Sequence, residues 1–121
     1  MTFEWDENKD LINQKKHDGI SFEYAARVFF DSKRIETLDE EHSDESEERY
    51  NVIGCVERIL FVVYTERGEN NIRIISARRA TPKEEKLYYE DKQEYYKTHE
   101  HKRQFNLLLF KNRINRFKPK S

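Results

Sequence analysis

"ILFVVYTERGENNIRIISARRATPKEEK" (Ile59–Lys86) carries the fold in one run. It opens on a continuous apolar stretch from Ile59 to Tyr64, the pattern of a central strand buried on both faces. Gly68 to Asn71 then interrupts it, with Gly and Asn to supply the positive φ angles of a hairpin. "NIRIISAR" reads as the returning strand, with Ile72, Ile74 and Ser76 on one face and Arg73, Ile75 and Ala77 on the other. At Thr81-Pro82 the period changes. Thr at the N-cap, Pro at the first helical position and Glu84 at the third start a helix. Strand, hairpin, strand and helix predict an α+β domain.

Upstream, "RYNVIGCV" is a further strand, joined to "RILFVVYTE" by a tight connection over Gly54–Glu57. "RIETLDE" and the aromatic, alternating "TFEW" are shorter strand candidates. Between these last two lie two helices. Asp6 caps the first, over "ENKDLINQKKH", with Leu11 and Ile12 on its inner side, and Asp18-Gly19 ends it. Ser21 caps the second, whose Phe22, Ala25, Ala26 and Phe29 form one apolar stripe. The predicted architecture is a small antiparallel sheet, two N-terminal helices and a C-terminal helix.

The chain has 121 residues, enough for one domain with a short appendage. Its net charge of -1 hides an asymmetry: residues 1–90 carry 14 Lys/Arg and 21 Asp/Glu, against 9 and 3 in residues 91–121. Two segments follow, a domain over 1–90 and a basic extension over 91–121. In the extension Leu107, Phe110, Ile114 and Phe117 recur at helical spacing, suited to packing on the chain's own domain, to a partner, or to a mobile basic arm. The eight acids between Glu36 and Glu48 mark a solvated loop that would repel phosphates. Cys55 is the single cysteine, which excludes an internal disulfide and reads as a small core residue. No Cys/His spacing suggests a metal site, so neither metal nor cofactor is expected. His42 reads as solvated, and His99 and His101 diverge on a helix. With no signal peptide and no membrane-spanning run, a cytoplasmic protein is expected.

The residues that can do chemistry are basic. Arg78 and Arg79 stand at the strand-to-helix junction, where the partial positive charge of a helix N-terminus and a neighbouring Ser76 would complete a phosphate cradle. Lys83 and Lys86 follow on the helix, and Lys15, Lys16 and His17 end the first helix. Arg67 belongs to the hairpin and lies at the far end from the Arg pair. His17 fits either a cation complementing the helix dipole or a proton donor or acceptor.

The blocks "FEWDENKDLINQKKHDGISFEYAARVFFD", "DEEHSDESEERY", "IGCVERILFVVYTERG" and "IRIISARRATPKEEKLYYE" resemble, in order and spacing, the BrnT toxins of BrnT/BrnA type II toxin–antitoxin systems. The resemblance spans Thr2 to Glu90. Two departures are the short Gly54–Arg58 connection without a second glycine and Tyr24 where an acid would complete a capping box with Ser21. The resemblance implies a RelE-like fold and a metal-independent endoribonuclease that uses the RNA 2′-OH as nucleophile. It implies a BrnA-like ribbon-helix-helix antitoxin, a toxin–antitoxin heterotetramer, and operator DNA bound only through that complex. On that basis Arg78 and Arg79 would hold the scissile phosphate with help from Ser76. Arg67 would stabilise charge or grip the backbone. From its chemistry alone, not from the resemblance, His17 would act as acid or base with Lys16 as its substitute, and the charges of Lys15, Lys83 and Lys86 would bind RNA. The alternative is a catalytically inactive RNA- or antitoxin-binding module, and a third reading is a purely structural partner.

Overall fold

The computed structural model describes residues 1–90, so the expectations for 91–121 lie outside the described residues. The elements are β1 (Thr2–Glu4), α1 (Glu7–Lys16), α2 (Phe22–Ala26) running into a 3₁₀ turn (Arg27–Phe30), β2 (Ile35–Asp39), β3 (Arg49–Val56), β4 (Arg58–Glu66), β5 (Asn71–Arg79) and α3 (Pro82–Glu90). The strands form one sheet in the order β1-β5-β4-β3-β2. The α+β class stands, but the sheet is mixed. The three pairings from β2 to β5 are antiparallel, whereas β1 adds to Asn71–Arg73 in parallel.

One face of the sheet is closed. Val52, Leu60, Val62, Tyr64, Ile72, Ile74 and Ala77 pack beneath Phe22, Ala25, Ala26, Val28 and Phe29, the expected stripe. Phe29 meets Tyr64 edge-on with ring centroids 4.9 Å apart. Gly54 lies within β3, not in a turn, and its missing side chain admits the 3₁₀ segment. A Cβ there would come within 2.9 Å of the Val28 Cβ. The β3–β4 connection is shorter than expected. Val56 pairs with Arg58, and Glu57 alone makes the turn at φ 62. In the β4–β5 hairpin only Gly68 takes a positive φ; the asparagines do not.

The other face is half open. It holds a smaller cluster, Ile53, Ile59, Ala80 and Tyr88, with Ile35 and Phe61 packed against it, so β4 is not sealed on both sides along its length. Tyr88 anchors α3 here by donating to Asp31 Oδ2 at 2.6 Å, and burial together with that carboxylate pushes the phenol well above its ordinary pKa. Cys55 is exposed, correcting its core assignment; its N–H donates to the same Asp31 oxygen at 2.8 Å.

One extra residue in β5 decides which side chains face outward. Val63 pairs with Ser76, but the next residue, Tyr64, pairs with Ile74, leaving Ile75 as a bulge. The bulge resets the alternation. Ile72, Ile74 and Ala77 point to the core, and Ser76 and Arg78 point to the open face with Val63 and Phe61. A straight strand would have put Ser76 beside Ile74, as the sequence suggested.

α1 departs most from expectation. Leu11 and Ile12 are more than half exposed, and the buried residue is Asn13. Asp6 caps the helix as predicted, accepting from the Lys9 N–H at 3.0 Å. The helix attaches by polar contacts. The Asn13 carboxamide donates to Ile20 O at 3.0 Å and Ala77 O at 2.8 Å, and its oxygen accepts from the Ala77 N–H at 3.2 Å. Ala77 lies past the end of β1, where the edge of β5 has no strand partner, and Asn13 supplies both missing bonds. Each buried backbone group left unpaired costs about 1–3 kcal/mol. Asn13→Ala is therefore expected to destabilise the protein by about 3 kcal/mol, read as a lower urea midpoint with unchanged slope. An unchanged midpoint would show that water replaces the amide at no cost.

Candidate functional site

The basic residues separate into two groups. β5 runs from Ile72 opposite Glu66 to Arg79 opposite Leu60. At about 3.3 Å per residue, the hairpin and the strand end are on the order of 20 Å apart. Arg67 is at the hairpin, where its guanidinium meets Glu47 Oε2 at 3.0 Å, so it cannot share a phosphate with Arg78 or Arg79. The second group forms around the C-terminal half of β5. Asn13 ties α1 to Ala77, which brings the last turn of α1, with exposed Lys15 and Lys16 and half-buried His17, alongside this strand. His17 ends α1 as its C-cap, its N–H bonded to Asn13 O at 2.9 Å.

Arg78 and Arg79 do not form a paired cradle. Arg79 pairs with Leu60, on the side covered by the N-terminal helices, and is exposed at the strand end. Its side chain makes no hydrogen bond or ion pair with any described residue. Arg78 lies on the open face, its guanidinium carbon 4.2 Å from the centre of the Phe61 ring. It makes a two-point ion pair with Glu84, Nη1 to Oε1 at 2.7 Å and Nη2 to Oε2 at 3.0 Å. Nη1 also donates to Arg79 O at 3.1 Å. Ser76 shares this face, two residues away.

The start of α3 is as the sequence specified. The Thr81 N–H donates to Glu84 Oε1 at 2.8 Å and the Glu84 N–H to Thr81 Oγ1 at 3.2 Å, a reciprocal capping box. That geometry corrects one expectation. The anion at this helix N-terminus is the chain's own carboxylate, so the first turn of α3 does not offer the free N–H groups expected of a phosphate cradle. Lys83 and Lys86 are exposed on α3, and Lys86 reaches Glu90 at 3.7 Å.

Two features were missed in the sequence. Nothing in the spacing linked Asn13 to Ala77, 64 positions away. Glu84 was visible as a capping residue but not as the partner of Arg78, because that pairing depends on how α3 turns back across the strand.

Asp39, Glu41 and His42 bring one ligand atom each within 4.8 Å of one another. They lie at the end of β2, aligned through Arg49 and Thr65 with Arg73, towards the hairpin end and away from Arg78. His42 Nδ1 is 2.9 Å from Asp39 Oδ2. No helix among the described residues is long and apolar enough to cross a membrane.

Burial alone would raise the Glu84 carboxyl, but hydrogen bonds from Arg78 and Thr81 and the Arg78 charge outweigh it and hold the group below its ordinary pKa. Its contribution to stability is therefore complete above the ordinary value of 4.5 and lost as pH falls through the lowered one. The melting-temperature gap between the protein and Glu84→Gln should shrink on acidification from about pH 6 to pH 3. A gap constant across that range would mean the carboxylate charge contributes nothing.

Comparison with known proteins gives one family. The family described as ribonuclease toxin, BrnT, of type II toxin–antitoxin systems matches residues 5–84. No curated protein matches the chain. Among solved structures, the 1.1 Å crystal structure of the Brucella abortus ribonuclease toxin BrnT is similar in fold, with a TM-score of 0.51 and 24% identity over 67% of this chain and 97% of that one.

Proposed function

Since the chain belongs to the BrnT family of ribonuclease toxins of type II toxin–antitoxin systems, we propose that it is a metal-independent endoribonuclease whose phosphate-gripping residues are Arg79 and Arg78. The observation that carries this reading is the exposed Arg79 side chain, uncommitted to any described residue, at the end of the strand to which α1 brings His17 and Lys16. In the reaction the 2′-oxygen forms a bond to the adjacent phosphorus and the bond from phosphorus to the 5′-oxygen breaks. The products are a cyclic phosphate and a 5′-hydroxyl. One proton must leave the 2′-OH and one must reach the 5′-oxygen. His17 is assigned one of these transfers, with Lys16 as its substitute. Charge gathers on the non-bridging oxygens, which Arg78 neutralises from the open face beside the Ser76 hydroxyl, while the uncommitted Arg79 side chain swings round the strand end to reach the same phosphate.

Lys15, Lys83 and Lys86 hold the neighbouring backbone by charge alone. Arg67, on the order of 20 Å away, grips the backbone and takes no part in the chemistry. The toxin domain is assigned to residues 1–90 and the basic extension to 91–121. Membership of the family brings an antitoxin partner. A BrnA-like ribbon-helix-helix protein, a heterotetramer that contacts operator DNA only through that partner, and a cytoplasmic location complete the reading.

Purified full-length protein should cut naked RNA in the presence of a chelator. Arg79→Ala should lower that rate by about 10²–10³ while the fold is kept. Arg67→Ala should weaken RNA binding and flatten its salt dependence with little change in turnover. Undiminished cleavage by the Arg78→Ala/Arg79→Ala double variant would exclude the site. Binding without cleavage in the unmodified protein would favour the inactive RNA- or antitoxin-binding module.

A further inference from the structure

A guanidinium has five N–H donors on a rigid plane. Arg78 places three of them on described residues: both on Nη1, to Glu84 Oε1 at 2.7 Å and Arg79 O at 3.1 Å, and one on Nη2, to Glu84 Oε2 at 3.0 Å. The remaining two are the Nε–H and the second Nη2–H. These two share one edge of the plane and run parallel, the arrangement that matches two oxygens of a phosphodiester. Phe61 supports one face of the plane at 4.2 Å. Glu84 is in turn fixed by the Thr81 N–H at 2.8 Å, within the first turn of α3. Rotation of Arg78 is thus opposed by a ring, a carbonyl and an anchored carboxylate.

We propose that Glu84 is a positioning residue for RNA cleavage: it occupies the Nη1/Nη2 edge of Arg78 so that the adjacent Nε/Nη2 edge is held, ready-formed, for the scissile phosphodiester. This rests on the ribonuclease reading above. A carboxylate beside a phosphate is electrostatically unfavourable for binding, which gives the idea its distinctive sign. Removing the charge should improve RNA binding while harming the chemical step, because a free Arg78 must find its orientation anew in each turnover. If Glu84 were merely filling the phosphate's place, its neutralisation would raise turnover instead.

The test is steady-state cleavage of a short RNA by full-length Glu84→Gln, which keeps an acceptor for the Thr81 N–H. The expected result is a kcat about tenfold lower with KM unchanged or reduced. In the Arg78→Ala background the same substitution should have no further effect on kcat, because Glu84 acts through Arg78. Thr81→Ala, which loosens the cap only, should lower thermal stability and leave kcat in place. Arg78→Lys retains an ion pair with Glu84 but has no second edge, so it should be as slow as Arg78→Ala. This variant keeps the proposal testable even if Glu84→Gln does not fold. A higher kcat for Glu84→Gln, effects of Glu84→Gln and Arg78→Ala that multiply, or full turnover by Arg78→Lys would each overturn the positioning role. If Arg78→Ala itself cleaves normally, the assignment of the phosphate site to Arg78 fails, and the role of Glu84 fails with it.

Discussion

The candidate site depends on a single inserted residue. Without Ile75 as a bulge, β5 would keep strict alternation from Ile72 onwards, and Ser76 and Arg78 would be driven under the N-terminal helices beside Ile74. A guanidinium there would face Phe22, Val28 and Tyr64, where burying an unpaired charge is prohibitive. The bulge lets one strand do two jobs in succession. Its first half contributes Ile72 and Ile74 to the core, and its second half contributes Ala77 to the core while turning Ser76 and Arg78 to the open face.

From that reversal the rest follows. Arg78 emerges beside Phe61, its cross-strand neighbour, and α3 folds back so that Glu84 meets it. Tyr88 then closes α3 on the sheet through Asp31, which also receives the β3 backbone at Cys55. A chain of local contacts thus runs from the strand end, through the helix start, to the far strands. The arginine lies within this chain, and this is why its orientation is fixed. Arg79 lies outside it, at the strand terminus, its side chain bonded to no described residue.

Much of this was readable in the residues, because the signals were local. Thr81-Pro82 with Glu84, Asp6, Ser21 and Asp18-Gly19 each specify a helix boundary through contacts within five positions, and each boundary formed. The stripe of Phe22, Ala25, Ala26 and Phe29 found the core because its period matches a helix. What escaped was non-local. A bulge leaves no mark in "NIRIISAR", where apolar residues stand at Ile72, Ile74 and Ile75 and either parity looks acceptable. Leu11 and Ile12 misled because apolar residues on a polar helix normally mark its inner side, whereas α1 is fastened by an amide. Cys55 misled because apolar neighbours suggest burial, yet its position on the half-open face leaves it exposed. The candidate site was visible only as two adjacent arginines at a strand end; their opposite directions and the carboxylate held by one of them were set by tertiary structure.

The amide at position 13 has a consequence beyond attachment. β1 is only three residues long, so most of β5's outer margin would otherwise be available to template a foreign strand. By occupying both backbone groups of Ala77, a side chain does the work of a neighbouring strand while offering nothing for another to continue from. At Ala77, therefore, no free backbone donor or acceptor is left on this margin for another strand to pair with.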